Sequence, residues 1–314
     1  MIAYVVRRLG QSLVVIVGVS IFTFLLLQVL PGGPRAILGP RATPLEIHQF
    51  IVANGLNRPV WTQYADYVNK LFHGNLGYSY HYNETVNSLL ATSIAKSALL
   101  AGTAVLIALL IAIPLGIFQA VRRNTLFDYA LTGASFVGYS MPVFWLGILF
   151  IDWFSLDLHL FPAEAPQGKG IGAVLSQPGA MVLPVLTLVA ILVALFSRYM
   201  RSSALENLVQ DYIQTARSKG LPERMVLRRH LVRNSLIPIT TLIGLSLPQI
   251  FSGALITESV FNYPGMGLLF WNAAQVKDYA VLLGVILVVS VAAVVGSLVA
   301  DVGYAVLDPR VRYG

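Results

Sequence analysis

The sequence has no cysteine and few charges. The first absence excludes disulfides, thiolate metal sites and cysteine nucleophiles. The second says more. Only 11% of the 314 residues are charged, against about a quarter in an ordinary soluble domain. A phosphate-binding G-x-x-x-x-G-K-[ST] loop is also missing. Gly168-Lys169 is followed by Gly170, and position 163 is alanine, so ATP binding by this chain is not expected. There is no H-E-x-x-H motif, and His159 and His230 have no cluster of further ligands around them. Neither a metal site nor a catalytic residue is expected. No internal repeat is visible.

The charges that are present come in clusters, and six uncharged stretches separate them. They are Leu9 to Pro34, Ser97 to Val121, Tyr129 to Ile151, Gly170 to Ser197, Asn234 to Thr257 and Tyr279 to Ala300. A helix needs about 20 mostly apolar residues to cross roughly 30 Å of hydrocarbon. All six are long enough, although the fourth is glycine-rich at its start and spans from about Val182. The expected fold class is therefore an all-α integral membrane protein with about six transmembrane helices. The first stretch follows Arg7-Arg8, as a signal peptide would. It is longer than a signal core and no small-x-small cleavage site ends it, so it reads as a retained first span.

Lys and Arg near the spans favour the cytoplasm. With the N-terminus inside, 14 of the 21 fall in the inner segments and 7 in the longer outer ones. Both termini are then cytoplasmic, and the net charge of +7 is mostly a topology signal. A nucleic-acid partner does not fit, because the basic residues lie in four short inner segments. Membrane lipid is the expected surrounding.

Ionisable residues well inside a span are functional by default, and the middles of these spans have none. This argues against an ion-coupled secondary transporter, which would want mid-span carboxylates or histidines. Asp152, Glu258 and Asp301 sit at span ends. Glu258 is the best candidate for a gate or an outer contact, because the Pro264-Gly265 turn is close by. Ser140 and Pro142 are candidates for the translocation path. Ser135, Thr187, Thr240, Thr241 and Ser246 either line a path or pack helices, and packing is favoured. Pro142, Pro184 and Pro248 either kink their helices or are tolerated.

Two segments outside the spans carry local signals. In the outer one, Thr43, Pro44 and Glu46 form a capping-box pattern, with Gly55 at the helix end. A second helix is expected from about Val60 to Phe72, with Gly74 after it. Tyr64, Tyr67, Val68 and Leu71 share a face. This pair is either a cap or docking surface, or a membrane-surface hairpin that braces the spans. In the inner loop 198–234, Asp211 is expected to cap a short helix running through Lys219, and Gly220 to end it in the left-handed conformation. Pro222 and Glu223 then begin a second helix, whose last turn holds Arg228, Arg229, His230 and Arg233. Leu227 and Leu231 are expected to face a partner or the membrane. The loop is either a rigid protrusion that transmits force or a basic loop lying on anionic lipid.

The stretch Asp211-Tyr212-Ile213-Gln214-Thr215-Ala216-Arg217-Ser218-Lys219-Gly220-Leu221 resembles the cytoplasmic coupling loop of binding-protein-dependent ABC importer permeases. The dipeptide/oligopeptide/nickel permease family is the nearest pattern. Arg229-His230 and Arg233 to Pro238 agree with it. So do Tyr4, Arg7-Arg8, Leu30-Pro31-Gly32, Ala42-Thr43-Pro44, Gln63-Tyr64, Gly74 to Gly77, Glu258 to Gly267 and Leu307 to Tyr313. The resemblance covers nearly the whole chain, and the long outer segment resembles the B-type member of a permease pair. Gln214 and Thr215 depart from the general Glu-Ala start of the coupling motif. Gly33 and Asn75 stand where the family usually has Asp.

The resemblance implies a type I ABC importer permease fold in the bacterial cytoplasmic membrane. Residues 1–96 would form the first transmembrane helix plus an extracytoplasmic helical segment. Residues 97–314 would form a five-helix core with coupling loop 198–234. Asp211, Gln214, Thr215, Ala216, Arg217, Lys219, Gly220, Leu221 and Glu223 would serve ATPase coupling, with Ala216 small enough for close approach. The implied partners are a second homologous permease subunit, two ATPase subunits or domains, and an extracytoplasmic substrate-binding protein. No cofactor is implied on this chain; ATP and Mg would sit on the partner subunits. The implied cargo is di- or oligopeptides, with nickel chelates or glutathione as alternatives.

Overall fold

The computed structural model describes residues 2–29, 38, 42–53, 55–168, 170–252 and 254–307. Leu30-Pro31-Gly32, Gly33, Lys169 and the run from Asp308 to Tyr313 lie outside the described residues. Helix α1 covers Ile2–Val29. Next come α2 (Pro44–Ala53) and α3 (Val60–Phe72), and a two-stranded antiparallel ribbon pairing Tyr78 with Thr85 and Ser79 with Glu84.

The capping box forms as read. Thr43 N donates to Glu46 Oε2 at 2.7 Å, and Glu46 N donates to Thr43 Oγ1 at 3.3 Å. Gly55 and Gly74 are both left-handed, at φ +65° and +69°, which glycine adopts without a Cβ penalty. The ribbon carries no strong alternation and was not expected.

Helix α4 (Val86–Val121) has 36 residues, about 54 Å at 1.5 Å per residue. It starts well before the uncharged stretch. Thr85 caps it by accepting from Ser88 N at 3.3 Å. Thr125 caps α5 (Leu126–Ser140) in the same way, through Asp128 N.

The third stretch is not one straight span. Helix α5 stops at Ser140, and α6 (Val143–Phe150) with its π-helical continuation Ile151–Asp157 leaves at 103°. Pro142 lacks an N–H and pushes Met141 out of the helical region; Met141 is extended, at φ −71° and ψ 131°. The fourth stretch divides into α7 (Gly170–Leu175), a short helix that was not expected in its glycine-rich start, and α8 (Pro178–Leu208), which begins four residues before the expected Val182.

Helices α4 and α8 form the central pair. Ala104, Ala108, Ala112, Gly116 and Ala120 recur every fourth residue of α4, all buried. Such a stripe of small residues lets two backbones approach. Gly116 marks the tightest point: a Cβ there would lie 2.7 Å from Met200 Cβ and from Ser197 O. Phe196, Leu183 and Val189 pack against this stripe and Leu100.

The chain continues through α9 (Asp211–Ser218), α10 (Glu223–Met225), a π-helical turn Val226–Leu231, α11 (Val232–Ser235) and α12 (Ile237–Ser252). It ends with α13 (Leu255–Val260), α14 (Met266–Gln275) and α15 (Tyr279–Leu307). Helix α15 packs on α12 and α1. Among the described residues, three helices are long and apolar enough to cross a membrane alone, and the bent α5–α6 pair makes up to four.

Candidate coupling protrusion and the clamp at the opposite end

Helix α9 is short and two-faced. Ile213 and Ala216, three residues apart, are buried; Asp211, Gln214, Thr215, Arg217 and Lys219 are exposed. The buried pair joins Ala120 of α4, Ala204 of α8, and Val226 and Leu231 in one cluster. So α9 is not a loose loop. Its apolar edge is seated on the ends of the two central helices.

Ala216 is therefore turned towards the chain's own core, where its small side chain lets α9 approach Ala120 and Ala204. Leu231 is fully buried and Leu227 packs against the same cluster. From periodicity alone both leucines are expected to face a partner or lipid. Periodicity defines a face, not what covers it.

Asp211 does not cap the helix as expected: Gln210, extended at φ −74° and ψ 148°, holds the cap position without a side-chain hydrogen bond, and Asp211 is the first helical residue. Asp211 sits in the first turn, where the helix dipole favours a carboxylate. Gly220 N donates to Arg217 O at 2.9 Å and Leu221 N to Ala216 O at 3.3 Å. With Gly220 at φ +73°, this is a Schellman closure. Pro222 then starts the next helix, and Met225 N donates to its carbonyl at 2.8 Å.

A fork of hydrogen bonds braces the corner. Arg217 Nη2 donates to Glu223 Oε1 at 2.7 Å, and Nε to Oε2 at 3.2 Å. The guanidinium holds the Glu223 carboxyl below its usual range, and the carboxylate in turn raises Arg217. All nine coupling candidates thus lie on one turn-to-turn element, with seven of them exposed.

A second ion pair stands close by in the fold, and sequence reasoning missed it. Arg201 of α8 reaches Asp128 of α5 with Nε to Oδ1 at 2.7 Å and Nη2 to Oδ2 at 2.8 Å. Asp128 is 1% exposed and Arg201 28%. Asn124 N also donates to Asp128, at 3.1 Å. In the sequence these residues were only a stretch boundary and one more inner charge. Three residues earlier, the Arg198 guanidinium lies 4.9 Å from the Phe136 ring centre and 5.4 Å from that of Tyr139.

Of the path candidates, Ser140 and Pro142 stand at the α5–α6 elbow. There, with Phe136, Val137, Met141 and Trp145, they line an open apolar concavity of ≈ 640 Å³. Glu258, Pro264 and Gly265 are brought together elsewhere. Glu258 is fully buried. Its carboxylate accepts from Ser97 Oγ at 2.6 Å, Ala254 N at 3.2 Å, Gly267 N at 2.7 Å and Leu268 N at 3.1 Å. The last two are first-turn amides of α14, which have no partner inside their own helix. A carboxylate placed on them satisfies both and meets the positive end of the helix.

Ser97 completes the clamp by accepting from Met266 N at 2.8 Å. A Cβ on Gly265 would lie 2.5 Å from Glu258 Oε1 and from Ser97 Oγ, so residue 265 has to be glycine for space. Tyr263, fully buried, donates its hydroxyl to Lys96 O at 2.7 Å, and Lys96 Nζ donates to Gly168 O at 2.7 Å. The Pro264-Gly265 turn is thereby fastened to α4 and to the loop before α7.

These features define a polytopic α-helical membrane protein with a rigid, polar protrusion built on its two central helices. The family described as binding-protein-dependent transport system inner membrane component matches residues 112–313, and its N-terminal companion matches residues 1–101. The chain belongs to this family of ABC importer permeases, a multi-pass protein of the cytoplasmic membrane. Permeases of the family have no ATPase site of their own, and ATP is hydrolysed by partner subunits.

The chain is 34% identical to the oligopeptide transport system permease protein AppB of Bacillus subtilis over 316 residues, covering 100% of each. It is 32% identical to the dipeptide transport system permease protein DppB of Escherichia coli over 337 residues, covering 100% of this chain and 99% of that one. A putative peptide permease protein of Brucella suis is 38% identical over 319 residues, covering 99% of each. In fold, the chain is similar to the inward-facing MetNI methionine ABC transporter. That match has a TM-score of 0.52 and 14% identity, and covers 70% of this chain and 96% of that one.

Proposed function

We propose that this chain is one permease half of an ATP-driven peptide importer, with its N-terminus and C-terminus in the cytoplasm and six spans between them. The cargo is di- or oligopeptides, by likeness to relatives named for such transport; peptide-like solutes such as glutathione, or nickel chelates, are the alternatives. A second permease subunit, two ATPase subunits or domains and a substrate-binding protein complete the complex. ATP and Mg²⁺ sit on the ATPases.

The observation that carries the reading is the exposed row Asp211, Gln214, Thr215 and Lys219 on a helix seated by Ile213 and Ala216 and closed by Gly220. Exposed polar groups on a rigid mount suit a protein partner whose movement has to reach the spans. The Gln214–Gly220 segment is the part that docks on the ATPase. The force then passes to α4 and α8, where the cluster around Ile213 ends. At the opposite end, the Glu258 clamp holds the Pro264-Gly265 turn in register with α4.

Gly220→Val tests the reading. Its positive φ strains any β-branched residue. The expected result is loss of ATP-driven peptide uptake with membrane insertion intact. Unchanged uptake would remove the coupling role from this segment.

A further inference from the structure

Helix α3 has three distinct edges. Gln63, Tyr64 and Tyr67 face α1. The Tyr64 hydroxyl lies 2.9 Å from Ser20 Oγ, and Gln28 Nε2 donates to Gln63 Oε1 at 3.1 Å. Phe24, 5% exposed, lies with its ring centre 5.3 Å from that of Tyr64 and 5.7 Å from that of Tyr67. A second edge is polar and exposed: Asp66, paired with Arg58 at 3.3 Å, and Lys70. The third edge is apolar and open. Trp61 is 76% exposed and Phe72 87%, with Ala65 exposed between them. These three are spaced i, i+4 and i+11, a single stripe on a helix.

The position along α1 identifies what covers that stripe. Ser20 lies eleven residues past Leu9, where the uncharged stretch begins; at 1.5 Å per residue that is about 17 Å of helix. Gln28 lies about 29 Å along. Hydrocarbon is roughly 30 Å thick. The contacts with α3 therefore fall between the midplane and the surface reached by the C-terminal end of α1. On that same half of α1, Phe22, Leu25 and Val29 are exposed and apolar, at 63%, 49% and 81%. These three lie on the side of α1 turned away from Ser20, Phe24 and Gln28, so the open stripe of α3 shares their depth in the bilayer and not their face.

We propose that α3 is an interfacial helix whose Trp61–Ala65–Phe72 edge is covered by lipid of that leaflet, with Asp66 and Lys70 facing water. An amphipathic helix with a charged edge and a Trp/Phe edge suits the boundary between headgroups and acyl chains, and tryptophan is at home there. The three edges then each have their own medium: protein, water and lipid. Tyr64 and Gln63 give Ser20 and Gln28 of α1 polar partners that lipid would not supply.

The chain has no cysteine, so single nitroxide labels can be placed cleanly. Trp61→Cys, Ala65→Cys and Phe72→Cys are compared with Asp66→Cys and Lys70→Cys. The host is the assembled importer in lipid nanodiscs, with its other subunits cleared of reactive cysteine. Collision rates with oxygen, which concentrates in hydrocarbon, and with a water-soluble nickel chelate are measured at each site. At the three stripe positions, the oxygen-to-nickel ratio is expected to match that of a Leu13→Cys label on α1 and to exceed that at Asp66 and Lys70. Nickel access at the stripe would show water there and overturn the proposal. Low access to both reagents would show a protein cover, a binding protein or second permease chain, and overturn it equally. A Leu13 label open to nickel would instead remove the reading of α1 as a span, on which this inference rests.

Discussion

Arg201 and Asp128 meet through two parallel hydrogen bonds of 2.7 and 2.8 Å that tie α8 to the first turn of α5. The pair stands where α8 leaves the central contact with α4 and runs on towards the protrusion. Removing one partner from a buried pair costs more than the pair contributes, because the other charge is left desolvated. The expected loss for Arg201→Ala, which strands the buried Asp128, is about 3–5 kcal/mol; Asp128→Ala should cost less, because Arg201 is 28% exposed. Thermal unfolding of the purified complex checks this, and the double variant should lose less than the two single losses together. Arg201→Lys keeps the charge but not the fork, and should fall between wild type and alanine.

Glu258→Gln is nearly isosteric, yet it replaces one acceptor oxygen with an NH₂ group. The carboxylate now accepts from four donors. The glutamine must turn a donor towards Gly267 N and Leu268 N or towards Ser97. Leaving buried groups unpaired costs about 1–3 kcal/mol. A lowered melting temperature with intact membrane insertion is expected, and Gly265→Ala should act in the same direction by crowding the same oxygen. Wild-type stability in both would contradict the clamp.

Gly116→Val puts atoms into a space where even a Cβ would lie 2.7 Å from Met200 Cβ and from a backbone carbonyl. Overpacking of this kind typically costs about 1–3 kcal/mol. Helices α4 and α8 should separate at the end nearest α9, seen as increased protease access to the 209–222 segment. An unchanged cleavage pattern would mean that the protrusion does not depend on this contact.

The Arg217–Glu223 corner has a defined pH sign. Arg217 depresses the Glu223 carboxyl, so its stabilisation is fully present above the unfolded carboxylate range, ~4.3. It is lost as pH falls through the lowered value. Both groups are well exposed, at 39% and 52%, so the contribution is small, ~0–1 kcal/mol, and falls with salt. Wild type and Glu223→Gln should therefore differ slightly near neutral pH and converge in acid. A gap that widens in acid would contradict the pairing.

Much of this was legible in the sequence for identifiable reasons. The capping box at Thr43 and Glu46, the helix over Val60–Phe72 and the left-handed Gly55, Gly74 and Gly220 depend on neighbours in the chain, and local signals report them. The late start of the fourth span was legible in its glycine-rich beginning, but the short helix over Gly170–Leu175 was not. Nor was the elbow at Met141-Pro142, because a proline in a span is either tolerated or kinks, and its surroundings decide which. The Asp128–Arg201 pair joins residues 73 apart, and only the packing of α5 on α8 brings them together. Glu258 was singled out, but its partners were not. Ser97 and the α14 amides converge on it through the fold. Lys96 bounded a stretch on paper, and in the fold it is a buried cation on Gly168 O.

The central claim is that α9 mounts an ATPase on a permease pair. It is tested most directly by the composition and mass of the complex that co-purifies with this chain in mild detergent. The expected result is a second six-span chain and two ATPase subunits or domains, with the ATPases lost when Gln214 and Thr215 are replaced by bulky residues. A lone chain or a homo-oligomer, from a preparation that keeps other membrane complexes whole, would contradict it.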